Sequence, residues 1–331
     1  YYAGITAITI PPSFTSMPAE AFQYCSNLDT VYWNAVNCAY GGDSPFYNRC
    51  HPTTVVIGST VQTLPTEFMY DNGSLSSVTF EENSQLSSIP NNAFLSCSGL
   101  TSITIPVSVS SIGSSAFQNT GLTSIIIPAS VDSIEASAFY GCSSLTTVAI
   151  PAGITKIEDC TFQSCSSLQT VSFAENSQLQ SIGKQAFSGC TAIPNLSIPA
   201  SVTSFGEEAF YNVNIILISD TQAAMPGCPW GAKYYNLYIN GIFKYSDPDY
   251  TRLIGCTTPS ATEITIPSQV VAIGDEAFAG MSNLTSVTFE NASNITSLGN
   301  AIFVGCSNLG NLVVNNTLLH VANLTENDIT Y

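Results

Sequence analysis

Cysteines, histidines and paired carboxylates are where chemistry would reside in this chain, and their spacing argues against it. Cys25, Cys97, Cys142, Cys165, Cys190 and Cys306 each fall three residues after a recurring phenylalanine, and Thr120, Val213 and Met281 fill the same slot in other copies. A slot open to Cys, Thr, Val and Met is a buried pocket of modest size, because an unpaired thiol packs like a small hydrophobe. Cys38, Cys50, Cys160, Cys228 and Cys256 lie off this register, and Cys38 with Cys50 and Cys228 with Cys256 are candidate disulfides. Cys38, Cys50 and His51 together are too widely spaced to read as a zinc ligand set. Glu207-Glu208 and Asp275-Glu276 have no histidine or second acidic cluster at a defined spacing. They are expected to face the unpaired N–H groups at the start of a short helical turn rather than to bind a metal. The two histidines, His51 and His320, stand far apart, and there is no His-Glu-x-x-His, Cys-x-x-Cys, Gly-x-Gly-x-x-Gly or phosphate loop. The expectation is therefore no catalytic residue, no metal, no cofactor and no enzymatic activity.

Bulk charge narrows the partners. Six Lys plus Arg against 23 Asp plus Glu give a net charge of −17, which disfavours nucleic acid and anionic membranes, since both need clustered cations. No apolar run approaches the roughly 20 residues of a membrane-spanning helix. The chain opens on Tyr1, already inside a repeat, so a signal or anchor segment is expected outside this sequence.

The elements that position these residues repeat. Phenylalanine returns at Phe22, Phe46, Phe68, Phe94, Phe117, Phe139, Phe162, Phe187, Phe210, Phe278 and Phe303, mostly at intervals of 22 to 26. A period of that size marks a solenoid, in which a single repeat cannot bury its own apolar side. Each copy contains Leu-x-x-Val/Ile-x-Ile/Phe, such as Leu145, Val148 and Ile150, with alternation at the last positions that predicts a short half-buried strand. Proline often follows at once, as at Pro106, Pro128 and Pro151, and turns the chain out of the sheet. Three copies carry a longer turn there instead, at 81–86, 174–179 and 290–295. The second half reads Val-x-x-Ile-Gly-x-x-Ala-Phe, where Gly113, Gly183, Gly206 and Gly274 are expected to supply backbone angles that other residues resist. The whole chain, 1–331, reads as one domain with irregular repeats near 38–56 and 215–256 and a cap-like end at 315–331.

The units Ile-Pro-x-Ser-Val-x-Ser-Ile-Gly-x-x-Ala-Phe-x-Gly-Cys-Ser-Ser-Leu-Thr-Ser-Val-Thr-Ile-Pro resemble BspA-like leucine-rich repeats over nearly the whole chain. The resemblance implies an α/β solenoid: a right-handed leucine-rich-repeat superhelix of about 13–14 repeats of about 23 residues, mostly strand and irregular turn, with a parallel concave sheet. It further implies a secreted or surface-attached bacterial protein, some relatives being adhesins, and carries no catalytic set to transfer.

Binding is then a matter of surface. The outward row of the strands reads Tyr32, Thr79, Thr104, Ile126, Ala149, Ser172, Ser197, Tyr238, Thr265, Thr288 and Val313, small and almost uncharged. Aromatics interrupt it. Trp33 and Tyr234 fall on inward slots and are assigned to the core, whereas Tyr32, Tyr235 and Tyr238 fall on outward slots and are the candidate partner-binding residues. The expected function is an extracellular or cell-surface scaffold, a monomer, that binds a host-matrix or cell-surface protein, or a glycan. The alternative is a structural spacer that displays another module.

Overall fold

A computed structural model describes residues 4–320, apart from 20, 23, 42–43, 47–49, 236–237, 248, 291–293 and 315–316; for 220, 234–235, 238–240, 311–314 and 317–320 it describes the backbone only. The chain divides into two units, Tyr1–Tyr235 and Asn236–Tyr331. The same coil builds both. Among the described residues, helix amounts to the single turn Asp220–Ala223, so the fold is a solenoid of parallel strands and tight turns.

The main strand alternates as its β-branched residues require. In the first unit Ala7–Ile10, Thr30–Trp33, Thr54–Ile57 and Ser77–Phe80 pair in parallel, one coil to the next. Register aligns Val31, Val55 and Val78 on the core side, while Tyr32, Val56 and Thr79 align on the other. Thr147–Ile150 pairs with Thr170–Phe173 in the same way. In the second unit Glu263–Ile266, Ser286–Phe289 and Asn311–Val314 repeat it, and Thr317–His320 folds back antiparallel on the last strand.

A second, shorter parallel ladder lies half a coil further on. Ser88–Ile89, Ser111–Ile112 and Ser133–Ile134 pair in series, as do Lys156–Ile157, Ser181–Ile182 and Ser204–Phe205. The glycine that follows is not needed for an unusual φ. A Cβ on Gly113 would stand 2.5 Å from Asn91 Oδ1, and one on Gly183 would stand 2.5 Å from Asp159 Oδ1. Those oxygens reach across the glycine to accept the N–H of Ser114 (2.9 Å) and of Lys184 (2.7 Å) in the next coil. Close approach of the preceding coil, not backbone freedom, selects glycine there.

Left-handed backbone sits elsewhere, on either side of the recurring phenylalanines from Phe94 to Phe303. Around Phe139, Ser137 (φ 58°) and Gly141 (φ 68°) adopt it, and around Phe162 so do Cys160 (57°) and Ser164 (63°). Such a conformation costs an L-residue about 1–2 kcal/mol. Its return is complete pairing of the turn. Ser137, Phe139 and Gly141 donate N–H to Asp159, Thr161 and Gln163 of the next coil (2.8–2.9 Å), while Ala138, Tyr140 and Cys142 donate within their own turn. The expected short helical turn is therefore replaced by an alternating turn, because a helix would direct every N–H inside the coil and leave the neighbour's carbonyls unmatched.

The phenylalanines form the core column. Phe94, Phe117, Phe139, Phe162, Phe187 and Phe210 are fully buried, with consecutive rings stacked at 5.4–6.0 Å. Phe278 and Phe303 stack at 5.4 Å in the second unit. Phe68 departs from the expected column. Met69 makes the inter-coil bond of that slot, its N–H to Ala93 O at 2.7 Å, as Phe94 does to Ala116 at 2.8 Å. Phe68 takes the preceding alanine slot, edge-on to Trp33 (5.0 Å) and Phe94 (6.3 Å). Trp33, with no exposed surface, is in the core as expected.

The cysteine slot is buried, but it also bonds. Cys142, Cys165 and Cys190 donate S–H to the carbonyls of Phe117, Phe139 and Phe162, the phenylalanines of the preceding coil, at 3.0–3.2 Å, and Cys306 does so to Phe278 at 3.1 Å. Thr120 in the same slot donates to Phe117 O at 2.9 Å.

The irregular stretch ends one unit and begins the other. In the first, Ile215–Leu217 leads to the helical turn, and Trp230 stacks on Phe205 at 3.7 Å. In the second, Tyr238–Asn240, Phe243–Tyr245 and Arg252–Cys256 form an antiparallel meander whose last strand pairs in parallel with Ala272–Ile273.

Candidate functional site

The outward column of the main strands is the surface left free by the fold. Tyr32 projects from it because Val31 and Trp33 on either side are committed to the core. It is 44 % exposed and stands between Thr9 and Val56 of the adjacent coils. Further along, Thr104 pairs with Ile126, an isoleucine 79 % exposed on a face where its neighbours are hydroxyl and methyl groups. Thr265 and Thr288 continue the pattern in the second unit.

Hydroxyls that enter the strands are partly committed to the scaffold. Thr146 Oγ1 donates to Thr123 O (2.9 Å), Ser76 Oγ to Thr53 O (3.2 Å) and Thr285 Oγ1 to Thr262 O (2.8 Å), each one coil back. The outward rows proper, Thr79, Thr104, Ser172 and Ser197, remain exposed.

The side chains of Tyr235 and Tyr238 lie outside the described residues, but their backbones are placed. Tyr235 pairs with Ile216, in the register column of the buried Leu196 and Ile216. Tyr238 pairs antiparallel with Tyr245 and so stands outside the parallel row in which alignment put it. Tyr211, 48 % exposed, belongs with Tyr32 as an accessible aromatic.

Neither candidate disulfide is formed. Cys38 and Cys50 are buried free thiols, Cys38 turning its sulfur to Ala39 O at 3.6 Å, and Cys256 bonds with the backbone of Thr258. Cys228 is also free. Burial pushes the Cys97 and Cys190 thiols up to about 12, and burial likewise raises Cys142 to about 11. That is opposite to the shift that activates a nucleophile or metal ligand. The paired carboxylates are engaged between coils: Glu207 with Lys184 at 2.8 Å, Glu208 with Gln185 at 2.7 Å, and Asp275 with the Asn300 N–H at 2.6 Å. Among the described residues no three His, Cys, Asp or Glu side chains are grouped to hold a metal, and no helix is long and apolar enough to cross a membrane.

Comparison with known proteins bears on this geometry. The profile of the family described as BspA type leucine rich repeat region matches in 6 copies, over residues 1–120, 87–217 and 256–325. Among solved structures the chain is similar to a leucine rich cell surface protein from Faecalibacterium prausnitzii, at 25% identity over 93% of this chain and 69% of that one, with a TM-score of 0.41. It is also similar to leucine-rich repeat proteins from Bacteroides ovatus (20% identity, 92% and 86% of the two chains, TM-score 0.45) and Eubacterium ventriosum (17%, 98% and 94%, TM-score 0.45). No curated protein matches the chain.

Proposed function

Because the chain belongs to the BspA-type leucine-rich repeat family, we propose that it is an extracellular or cell-surface scaffold that binds a partner protein through the outward face of its main strands. The exposure of Tyr32 and Ile126 on an otherwise small, uncharged, hydrogen-bonded sheet carries this reading. Tyrosine is a frequent anchor at protein interfaces, and a rigid strand holds it at little entropic cost. Adhesion to host matrix or to another cell is the role that such a surface serves best, with the protein acting as a monomer.

The test is a panel of purified extracellular-matrix and cell-surface proteins, assayed against the wild type and against Tyr32→Ser and Ile126→Ser. Both positions are exposed, so folding should persist. The expected result is a partner whose affinity falls at least about tenfold in either variant, with only weak dependence on salt because so few charges line the face. Full affinity in both variants, or a steep loss between low and physiological salt, would refute the assignment. A spacer without a ligand predicts no binding by the wild type at all.

A further inference from the structure

Three coils end their main strand on phenylalanine where others have isoleucine: Phe80, Phe173 and Phe289. In the same three, the proline that follows isoleucine in most other coils, as at Pro106, Pro151 and Pro267, gives way to the longer turns 81–86, 174–179 and 290–295. The exchange has a structural consequence. Ile105, Ile150 and Ile266 at this position are buried, whereas all three phenylalanines are half-buried. The longer turns are built alike: Ser84 Oγ accepts the Leu86 N–H and Ser177 Oγ the Leu179 N–H, both at 3.3 Å. Glu81 and Glu290 accept the N–H of Ser59 and Ser268 one coil back, at 3.0 and 2.9 Å.

In the first unit each such turn forms one wall of a cleft whose other wall is the next coil. The cleft at Phe80, about 470 Å³, has Glu81 and Ser84 on one side and Thr104, Pro106 and Val107 on the other. That at Phe173, about 610 Å³, has Glu175 and Ser177 facing Ser197, Pro199 and Ala200. The repeat aligns Phe80 with Phe173, Ser84 with Ser177, Thr104 with Ser197, Pro106 with Pro199 and Val107 with Ala200. Two clefts thus share their ring, hydroxyl and proline positions, four coils apart, or about 19 Å at the usual spacing of strands, while the carboxylate differs: Glu81 directly follows Phe80, whereas Glu175 stands two residues after Phe173.

The lining is specific in kind. A half-buried aromatic ring leaves some apolar surface to the cleft, and a carboxylate beside several hydroxyls offers charge-assisted acceptors and paired donors for vicinal hydroxyl groups. No lysine or arginine lines either cleft, and each holds a carboxylate, so an anionic ligand would be repelled. We propose that these clefts are twin carbohydrate subsites, each taking a neutral hexose unit and acting together on a branched or clustered glycan. The clefts open on the same outward rows, through Thr79 and Thr104 and through Ser172 and Ser197, but neither is lined by Tyr32 or Ile126, so substitutions there test the two assignments separately.

Val107→Arg and Ala200→Arg fill the two clefts from equivalent, exposed positions without touching the core. The probes are immobilised neutral gluco-, manno- and galacto-configured oligosaccharides at high density, with sulfated and sialylated counterparts beside them. The wild type should bind at least one neutral probe and no acidic one preferentially. Either substitution should lower apparent affinity at least about tenfold through loss of bivalency, and the double variant should abolish binding, with melting temperature unchanged. Glu175→Gln should weaken the Phe173 cleft alone, and Tyr32→Ser should leave sugar binding intact. The proposal is overturned by wild-type protein that binds no neutral probe at millimolar concentration, by preference for acidic probes or peptides, or by sugar binding that survives the double substitution.

Discussion

Phe139→Ala should open the solenoid in the middle and nowhere else. The ring has no exposed surface and is stacked on both faces, against Phe117 at 5.5 Å with planes 8° apart and against Phe162 at 5.4 Å with planes 2° apart. Removing a buried phenylalanine costs about 3–5 kcal/mol, and each aromatic pair contributes about 0.5–1.5 kcal/mol beyond area. Two lost pairs place this site near the top of the range, about 4–5 kcal/mol. Phe139→Leu keeps most of the volume but no ring, so it should cost about 1–3 kcal/mol. In an array where coils touch only their neighbours, the damage stays local. Native-state hydrogen exchange is the assay: amides of the turns around Phe117, Phe139 and Phe162 should lose protection, while those around Phe278 and Phe303 keep theirs. Equal losses in the two variants would remove ring stacking from the account. A uniform rise in exchange across both units would refute the quasi-one-dimensional reasoning itself.

Alkali and a single methyl group test two other parts of the scaffold. Burial holds the thiols of Cys97, Cys142 and Cys190 at about 11–12 against 9 in the ordinary state. The folded value lies above the unfolded one, so this stability is whole below pH 9 and is lost as pH rises towards 12. A few kcal/mol per thiol is at stake, and melting temperature should fall through that window, less so when Cys190 is replaced by valine. A flat profile from pH 8 to 11 would contradict the buried column. Gly183→Ala should cost about 2–4 kcal/mol in chemical denaturation, since the new Cβ meets Asp159 Oδ1 and displaces its bond to the Lys184 N–H. Asp159→Ala and Gly183→Ala combined should fall short of additive because they break one contact. A neutral Gly183→Ala would mean that the coils can separate there freely.

Much of this protein is legible from its residues alone, because a coil that cannot stand by itself must repeat its core contacts at a fixed spacing. The Phe and Leu columns, the strand that ends at Ile-Pro, the inward place of Trp33 and the outward place of Tyr32 all follow from period and alternation. What the chain alone could not decide depends on how coils meet. Met69 rather than Phe68 holds the ring slot because backbone hydrogen bonds, not residue type, set the register. Gly113 and Gly183 answer to an oxygen that arrives from about 23 residues earlier. Tyr235 and Tyr238 sit where an irregular coil and an antiparallel meander replace the regular repeat, so period and alternation alone do not fix their register. The cysteine bonds and the paired clefts likewise exist only between neighbours. Local sequence dictates the shape of one coil, and stacking dictates which atoms of two coils come within reach.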